Sequence, residues 1–376
     1  MTAPAVALFR ERWHGDPELA ASAPGRVNLL GEHTDYNGGP VLPMAISRRT
    51  TVVAAAADEW AFTSAESPEP IRVDVDAELR GDWSDYLTGV VRELQAVGAA
   101  PRGARLAVTT TVPIGAGLSS SAALTVSSAR AIAALAGRRL DGRALADVAF
   151  RAEHDQVGVR VGRMDQTVAA LGRRGHALLF ETATGEITEV PMPLQVLVVE
   201  TGKSHRLTGG ALNDRRKECE EALRRLQARW PKLPAICALP LEELADAERM
   251  LPDRLARRVR HLVTETARTR RAADALRTGR LGELGELLVA GQRSLRDDYE
   301  SSIPEADFIV ESAVRHGAFG ARLTGAGWGG AVLVVAPDEA RRVVVRGVRR
   351  DFAKEFGAQP VAWTTRASGG VRRDRL

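Results

Sequence analysis

The chain has 376 residues, which at roughly 150 residues per domain predicts two domains, each large enough for its own hydrophobic core. With 44% hydrophobic and 27% charged residues, it has the composition of a globular protein, which excludes collagen-like and largely disordered classes. The net charge is +4, but acidic residues interleave with the basic ones, no apolar run approaches the ~20 residues of a membrane span, and the N-terminus lacks a basic leader. We therefore expect a cytoplasmic protein that binds neither nucleic acid nor membranes.

The first predicted elements surround a glycine loop. Residues 105–112 alternate in side-chain character, which predicts a strand, and residues 113–118 form the loop. Small and apolar residues at helical spacing from 119 to 136 predict a helix whose N-cap is a serine. Two more helices are predicted at 141–156 and 165–171, and a strand at 177–180.

The second half begins after a cluster of Thr, Gly and Pro at 182–193, which indicates a domain boundary. We expect an N-terminal domain of residues 1–190 and a C-terminal domain of residues 191–376. The elements predicted there are a strand at 194–200, helices at 212–230 and 241–288 interrupted by prolines, strands at 319–323 and 331–336, and a helix at 338–356. The scattered tryptophans, Trp83 among them, are expected to be packing residues.

The glycine loop has the features that an anion site requires. Glycines let backbone N–H groups approach a ligand, and hydroxyls and a helix N-terminus follow them. The loop has no Gly-Lys-Ser/Thr sequence, so it is not a Walker loop. The alternative is a tight turn capped by serine, but a cap needs only one serine and three stand in a row here, at 119–121. We therefore predict that the loop holds phosphates.

Two further segments are rich in glycine and polar groups. Residues 23–39 carry Arg, Asn, Glu, His and Asp side chains between glycines, a density that suits a polyol ligand, with a solvated turn as the alternative. Residues 323–330 form a second glycine loop ahead of a strand, which by itself is more typical of a hairpin than of a phosphate site.

Taken together, these segments resemble the GHMP small-molecule kinases, and residues 25–37, GRVNLLGEHTDYN, resemble the galactokinase signature. The resemblance continues through Gly162-Arg163-Met164-Asp165-Gln166 and through residues 294–300, and it spans roughly residues 20–335. It implies an α+β fold of two domains, with the active site in the cleft between them. It also implies phosphorylation of galactose at its anomeric C1 hydroxyl by ATP with Mg²⁺, in a protein that we expect to be a monomer.

Roles follow from the resemblance by motif position. Asp165 would be the general base, and Arg26 would orient it and stabilise charge. The other roles implied are sugar contacts at Glu32, His33, Thr34, Asp35, Gly162 and Leu212; triphosphate contacts at Gly115, Ala116, Gly117, Leu118, Ser119, Ser120 and Ser121; and magnesium ligands at Ser121 and Glu153.

One position departs from the family pattern. Galactokinases usually have a sugar-binding Tyr three residues before a pair of arginines, where this chain has Leu212. The missing hydroxyl predicts weaker binding or altered specificity without loss of catalysis. The resemblance also leaves two alternatives open: another sugar-1-kinase of the same family, acting on N-acetylgalactosamine or arabinose, or a catalytically silent sugar sensor. The sensors lack a Ser-Ala pair in the phosphate loop, and Ser121-Ala122 is present, which favours an enzyme.

Overall fold

The computed structural model describes residues 2–67, 69–204 and 210–376. The strands, in chain order, are β1 (Leu19–Asn28), β2 (Pro40–Val41), β3 (Pro43–Ala56), β4 (Trp60–Ser64), β5 (Ile71–Val73), β6 (Ala104–Thr110), β7 (His176–Glu181), β8 (Glu186–Pro191), β9 (Val196–Glu200), β10 (Gly320–Thr324), β11 (Ala331–Val335), β12 (Ala362–Thr365) and β13 (Arg372–Asp374). The helices are α1 (Ala3–Trp13), α2 (Ser84–Ala96), α3 (Ser120–Leu135), α4 (Gly142–Arg151), α5 (Met164–Leu171), α6 (Gly210–Leu226), α7 (Leu244–Arg249), α8 (Asp253–Arg277), α9 (Leu281–Asp297), α10 (Pro304–Arg315) and α11 (Arg341–Phe356).

The N-terminal half is built on a six-stranded sheet in the order β13-β1-β3-β6-β4-β5, in which only the β4–β6 pair is parallel. All ten residues of β1 are buried, because α3 and α5 pack against it. Alanines such as Ala122 and Ala129 let α3 lie close to the sheet, and the hydroxyl of Ser127 is satisfied within the helix by the carbonyl of Ala123 (2.6 Å). A smaller sheet, β2-β7-β8, completes this half.

The C-terminal half contains the antiparallel sheet β10-β11-β9-β12, whose apolar side chains pack against α10 and α11. One buried cluster contains residues of both halves, including Leu29 and Met44 from the first and Leu288 and Leu333 from the second. The two halves therefore share a core, and side chains of α8 and α9 reach the segment after β1. Among the described residues, no helix combines the length and apolar character that a bilayer crossing requires.

The expected division at residue 190 needs one correction. The chain passes from one sheet to the other between β8 and β9, but its last strand, β13, returns to pair with β1. The buried guanidinium of Arg49 holds this returning segment, donating hydrogen bonds to the carbonyls of Gly369 and Gly370 (both 2.8 Å). Residues 372–374 therefore belong to the N-terminal sheet, and a single cut in the sequence does not separate the halves.

Two local expectations also differ from the structure. The Thr, Gly and Pro cluster contains a strand, β8, because a tight turn at 182–185 brings it back along β7. Ser119, the expected N-cap, has a left-handed backbone (φ 59°), and its hydroxyl makes no capping bond to α3.

Candidate active site

Arg26 lies near the end of β1, where the sheet is irregular. The register of β1 against β3 shifts between Pro24 and Arg26, a bulge of the kind that bends a strand and redirects a side chain. The backbone N–H of Arg26 then donates to the carbonyl of Leu118 (3.1 Å) instead of to β3. The bulge thus brings two segments together at Arg26: the sugar motif, residues 25–37, and the phosphate loop, residues 113–121.

The Arg26 side chain pairs with Asp165, in the first turn of α5. Its Nε donates to Oδ1 of Asp165 (2.8 Å) and its Nη2 to Oδ2 (3.0 Å), which is the bidentate geometry of a strong charge-assisted pair. The third contact runs from Nη1 to the carbonyl of Gly117 (2.6 Å). The Arg26 side chain is only 5% exposed, while that of Asp165 is 21% exposed and faces a cavity.

The sugar motif turns sharply after β1. Gly31 and His33 both have left-handed backbones (φ 96° and 67°), and a 3-10 turn follows at Asp35–Asn37. Thr34 is fully buried, and its hydroxyl lies 2.8 Å from the carbonyl of Gly31 and 2.7 Å from that of Pro40. Thr34 therefore closes the turn and does not line the cavity, in contrast to the expected sugar contact.

Asp35 and Gly162 lie against each other in the cavity wall. A Cβ atom at Gly162 would fall 1.7 Å from Oδ2 of Asp35, so only glycine leaves room for this carboxyl group. Burial, together with the charge of Asp165, raises the pKa of Asp35 to about 6. The two carboxyl groups therefore border the same part of the cavity.

Glu32 lines the cavity from the other side of the turn. Its Oε1 accepts a hydrogen bond from the backbone of Gly325 (2.8 Å). Burial raises its pKa to about 7, against the opposing effect of Arg322 and Arg26. The cavity therefore contains a carboxyl group that gains or loses its proton near neutral pH.

Helix α8 supports the backbone of this turn. Glu265 accepts a hydrogen bond from the N–H of Gly31 (2.8 Å) and forms a fully buried ion pair with Arg322. Burial alone would raise the pKa of Glu265, but Arg322 and Arg268 bring it well below its usual range. His261 donates from Nε2 to the carbonyl of Glu32 (3.1 Å), and burial lowers its pKa to about 4, so this imidazole is neutral.

The phosphate loop has the backbone expected of an anion site. Gly115, Gly117 and Ser119, at alternate positions, have φ of 74°, 69° and 59°. Alternation of left-handed residues with others lines up successive N–H groups around a concave space. The buried Oγ of Ser119 has no hydrogen-bond partner among the described residues, so a ligand could satisfy it.

Most residues of the loop line the cavity: Gly115, Gly117, Leu118, Ser119, Ser120 and Ser121. Ala116 does not, because its side chain packs into the core shared by the two halves. The expected triphosphate contact at Ala116 therefore does not involve its side chain.

The second glycine loop packs directly on the first. A Cβ atom at Gly325 would lie 2.7 Å from the carbonyl oxygen of Gly117, and one at Gly330 would lie 2.9 Å from that of Ala116. The absence of side chains at these glycines lets one backbone approach the other. Gly325 and Ala326 also line the cavity, so the two loops form one wall of it.

Ser121 and Glu153 fit a magnesium ion. Glu153 lies in a π-helical turn after α4, 1% exposed, and its Oε1 accepts hydrogen bonds from Thr125 (3.0 Å) and Gln166 (2.9 Å). Burial raises its pKa to about 7, against hydrogen bonds from Gln166, Ser121 and Thr125. The described residues form no cluster of three or more acidic, His or Cys ligands, but Mg²⁺ commonly takes one or two protein oxygens and completes its shell with water and phosphate.

Most of these groups surround one cavity of about 470 Å³, and Ser121 lines it, whereas Glu153 does not. Arg26, Glu32, His33, Asp35, Gly162 and Asp165 line one part of it, with Leu212 of α6. Of the described residues of the C-terminal half, Leu212, Gly325 and Ala326 line the cavity, and they belong to α6 and the second glycine loop.

The rest of the wall was not predicted from the sequence. It includes Trp83, Tyr86, Val108, Ile114 and Leu124, an apolar and aromatic set beside the phosphate loop. Trp83, expected to be a packing residue only, is half-buried and lines the cavity. Aromatic residues at irregular spacing in the sequence give no local signal of this role.

Comparisons with known proteins show the family to which the chain is similar. Models of the galactokinase galactose-binding signature, the N-terminal GHMP kinase domain and the C-terminal GHMP kinase domain match residues 7–56, 85–173 and 272–354. The galactokinase of Chloroflexus aggregans is 41% identical over 372 residues, which cover 96% of this chain and 95% of that protein. Human galactokinase is 36% identical, with coverage of 99% and 96%.

Solved structures of kinases superimpose on this chain. Galactokinase of Lactococcus lactis, solved in complex with galactose, superimposes with a TM-score of 0.94 at 30% identity and covers 98% of this chain and 99% of that one. A mevalonate kinase superimposes with a TM-score of 0.65 at 18% identity, which shows a shared fold.

Proposed function

Because this chain belongs to the galactokinase family of GHMP kinases, we propose that it transfers the terminal phosphoryl group of ATP to the anomeric hydroxyl of galactose, giving galactose 1-phosphate and ADP. The observation that carries the proposal is the bidentate Arg26–Asp165 pair at the junction of the sugar motif and the phosphate loop. At that junction, a sugar hydroxyl and a terminal phosphate would meet.

Asp165 would accept the proton of the anomeric hydroxyl. Both of its oxygens are held by Arg26, which fixes the plane of the carboxylate and leaves a further lone pair on each oxygen. Arg26 is also anchored to the carbonyl of Gly117, so its positive charge lies beside the phosphate loop. Phosphoryl transfer depends mainly on alignment and charge neutralisation, and this pair supplies both.

The sugar would be held by the polar side chains around the turn. Glu32 and Asp35 can accept hydrogen bonds from adjacent hydroxyls, and the ring of His33 lies beside them. Gly162 contributes space, because it lets Asp35 reach the cavity. Leu212 offers only an apolar surface, so it would pack against the sugar and would not bind a hydroxyl.

The triphosphate would lie on the backbone N–H groups and hydroxyls of the phosphate loop, with Ser119 Oγ as one donor. Ser121 and Glu153 would hold magnesium, which when bound neutralises phosphate charge. The aromatic and apolar wall at Trp83 and Tyr86 offers a surface for the adenine base.

The test is an ADP-release assay with purified protein and a panel of hexoses and pentoses. We expect galactose to be the best substrate, with anomeric phosphate in the product identified by ³¹P NMR. A preference for N-acetylgalactosamine or arabinose would show that the enzyme is a related sugar-1-kinase. Binding of ATP and galactose without any ADP release would indicate a sugar sensor.

A further inference from the structure

Tyr299 lies directly beneath the sugar motif, although it comes from the other end of the chain. It follows α9 and is fully buried. Its ring stacks on the imidazole of His33, with ring centroids 4.2 Å apart and an angle of 24° between the planes. Nε of Arg215 donates to the backbone carbonyl of Tyr299 (2.8 Å), which anchors the chain at this residue.

A chain of hydrogen bonds connects the same two residues a second time. The hydroxyl of Tyr299 lies 2.9 Å from that of Tyr36, and the hydroxyl of Tyr36 lies 2.8 Å from Nδ1 of His33. At the far end, the Tyr299 hydroxyl lies 3.4 Å from the thiol of Cys219. Burial raises the pKa of both phenols well above its usual value, so both hydroxyls keep their protons.

The donor and acceptor strengths of these groups favour one direction for the two hydrogen bonds. A phenol hydroxyl is a strong donor and an imidazole nitrogen a good acceptor, whereas a thiol is weak in either role. With Tyr299 donating to Tyr36 and Tyr36 donating to Nδ1, both strong donors meet good acceptors. A neutral imidazole that accepts at Nδ1 carries its proton on Nε2.

We propose that Tyr299 is a positioning residue for sugar binding: its ring fixes the plane of His33, and its hydroxyl, through Tyr36, holds Nδ1 of His33 as a hydrogen-bond acceptor. The imidazole, which lines the cavity, then carries its proton on Nε2. The inference rests on the proposed function, in which His33 contacts the sugar. It adds a residue of the C-terminal half that never touches the substrate but determines how the sugar motif recognises it.

This role is separate from general support of the turn. The backbone of the turn is held by Glu265 at Gly31 and by His261 at Glu32. Tyr299 engages the side chains of His33 and Tyr36 instead. Removing its hydroxyl should therefore leave the backbone of the turn in place and change the state of the imidazole.

The kinetic test is Tyr299→Phe, which keeps the stacked ring and removes the hydroxyl. We expect the KM for galactose to rise about 2- to 10-fold, the effect of one weakened hydrogen bond, while kcat and the KM for ATP stay within twofold of wild type. Tyr299→Leu, which also removes the stack, should raise the KM for galactose further. An unchanged KM for galactose in Tyr299→Phe, or an equal rise in both KM values, would overturn the proposal.

The matched control is Phe352→Leu. Phe352 is a buried aromatic residue of α11 that packs against Phe308 and Phe356, away from the cavity. The substitution should lower the melting temperature without changing the KM for galactose. It therefore distinguishes an effect of lower stability from an effect on the position of His33. The same rise in the KM for galactose in both variants would contradict a specific role for Tyr299.

A second readout does not depend on turnover. In protein labelled with ¹⁵N-histidine, long-range ¹H–¹⁵N spectra report which ring nitrogen carries the proton, and the His33 signals can be assigned by their loss in His33→Gln. We expect the Nε2–H tautomer in the wild type and a mixture of tautomers in Tyr299→Phe. The Nδ1–H tautomer in the wild type, or no change in the variant, would refute the inference even if galactose proves not to be the substrate.

Discussion

At the scale of single residues, the reaction depends on how Arg26 presents Asp165. Replacement of Asp165 by Asn removes the proton acceptor but keeps the size of the side chain. General-base catalysis contributes about 10²- to 10⁴-fold, so we expect kcat to fall by at least that factor. The dissociation constant for ATP, measured by calorimetry, should stay close to that of wild type because Asp165 is connected to the carbonyl of Gly117 in the phosphate loop through the side chain of Arg26.

Residual turnover above a few per cent in Asp165→Asn would mean that another group accepts the proton, or that the hydroxyl loses its proton only after transfer to the phosphoryl group. Asp147→Asn is a suitable control, since Asp147 pairs with Arg163 on the exposed face of α4 and lies outside the cavity. Its kcat should match that of the wild type.

Leu212 is the residue at which substrate affinity can be improved. It is only 8% exposed, and it lines the cavity with Asp35 and Gly162. Leu212→Tyr adds a hydroxyl there, and one new hydrogen bond to a sugar hydroxyl should lower the KM for galactose about 2- to 10-fold. Leu212→Phe supplies the ring without the hydroxyl and should not give this gain. An unchanged or higher KM in Leu212→Tyr would show that another group already fills the role.

At the scale of elements, the two glycine loops act as one unit because their backbones are in contact. In Gly325→Ala, the new methyl group would meet the carbonyl of Gly117 at 2.7 Å, at a position with φ of 90°. We expect the phosphate loop to shift and the KM for ATP to rise roughly tenfold, since that is about the effect of losing one hydrogen bond between the loop and a phosphate.

Gly357→Ala is the matched control for this substitution. Gly357 ends α11 with φ of 73°, and a Cβ atom there would meet nothing within 4 Å. Alanine at this positive φ is strained, as it is at position 325, so the substitution should lower stability but leave the KM for ATP unchanged. Equal KM values for ATP in the two variants would argue against mechanical coupling between the loops.

Elements with a strong local pattern were predictable from the sequence. The strand before the phosphate loop and the helix after it appear as β6 and α3, close to the expected residues. No strand is predicted at residues 23–28, yet they form the end of β1. Pro24 and Gly25 are atypical of a strand interior, and a bulge accommodates them. Ser119 was expected to cap α3, but the left-handed turn that forms the anion site directs its hydroxyl elsewhere.

The supporting residues of the site could not be predicted in the same way. Glu265 and His261 occupy unremarkable places in the sequence of α8, and Tyr299 lies in the segment 294–300, whose resemblance to the family indicates no contact with the turn. Their roles arise from packing of the two halves, which places them against a turn more than 200 residues away in the chain. No periodicity or local motif encodes such a contact.

At the scale of the whole molecule, folding buries carboxyl groups in and near the cavity and couples stability to pH. Burial raises the pKa of Glu32 and of Glu153 from 4.5 to about 7. A carboxyl group whose pKa is higher in the folded state than in the unfolded state contributes stability that is fully present below pH 4.5 and is lost as pH rises through 7. His261 has the opposite sign, because its lowered pKa, about 4, makes it destabilising only below pH 6.5.

The window from pH 6.5 to 8.5 isolates the glutamates. Without ligands, we expect the free energy of unfolding in urea to fall by roughly 1 kcal/mol for each glutamate over this window. Glu153→Gln keeps an oxygen that can accept hydrogen bonds from Thr125 and Gln166. Because the amide does not ionise, about half of the decrease in the free energy of unfolding should disappear. Glu286→Gln removes an exposed charge on α9 and should not alter the decrease. If Glu153→Gln has the same pH dependence as wild type, then Glu153 is already ionised at pH 6.5 and its burial does not control its charge.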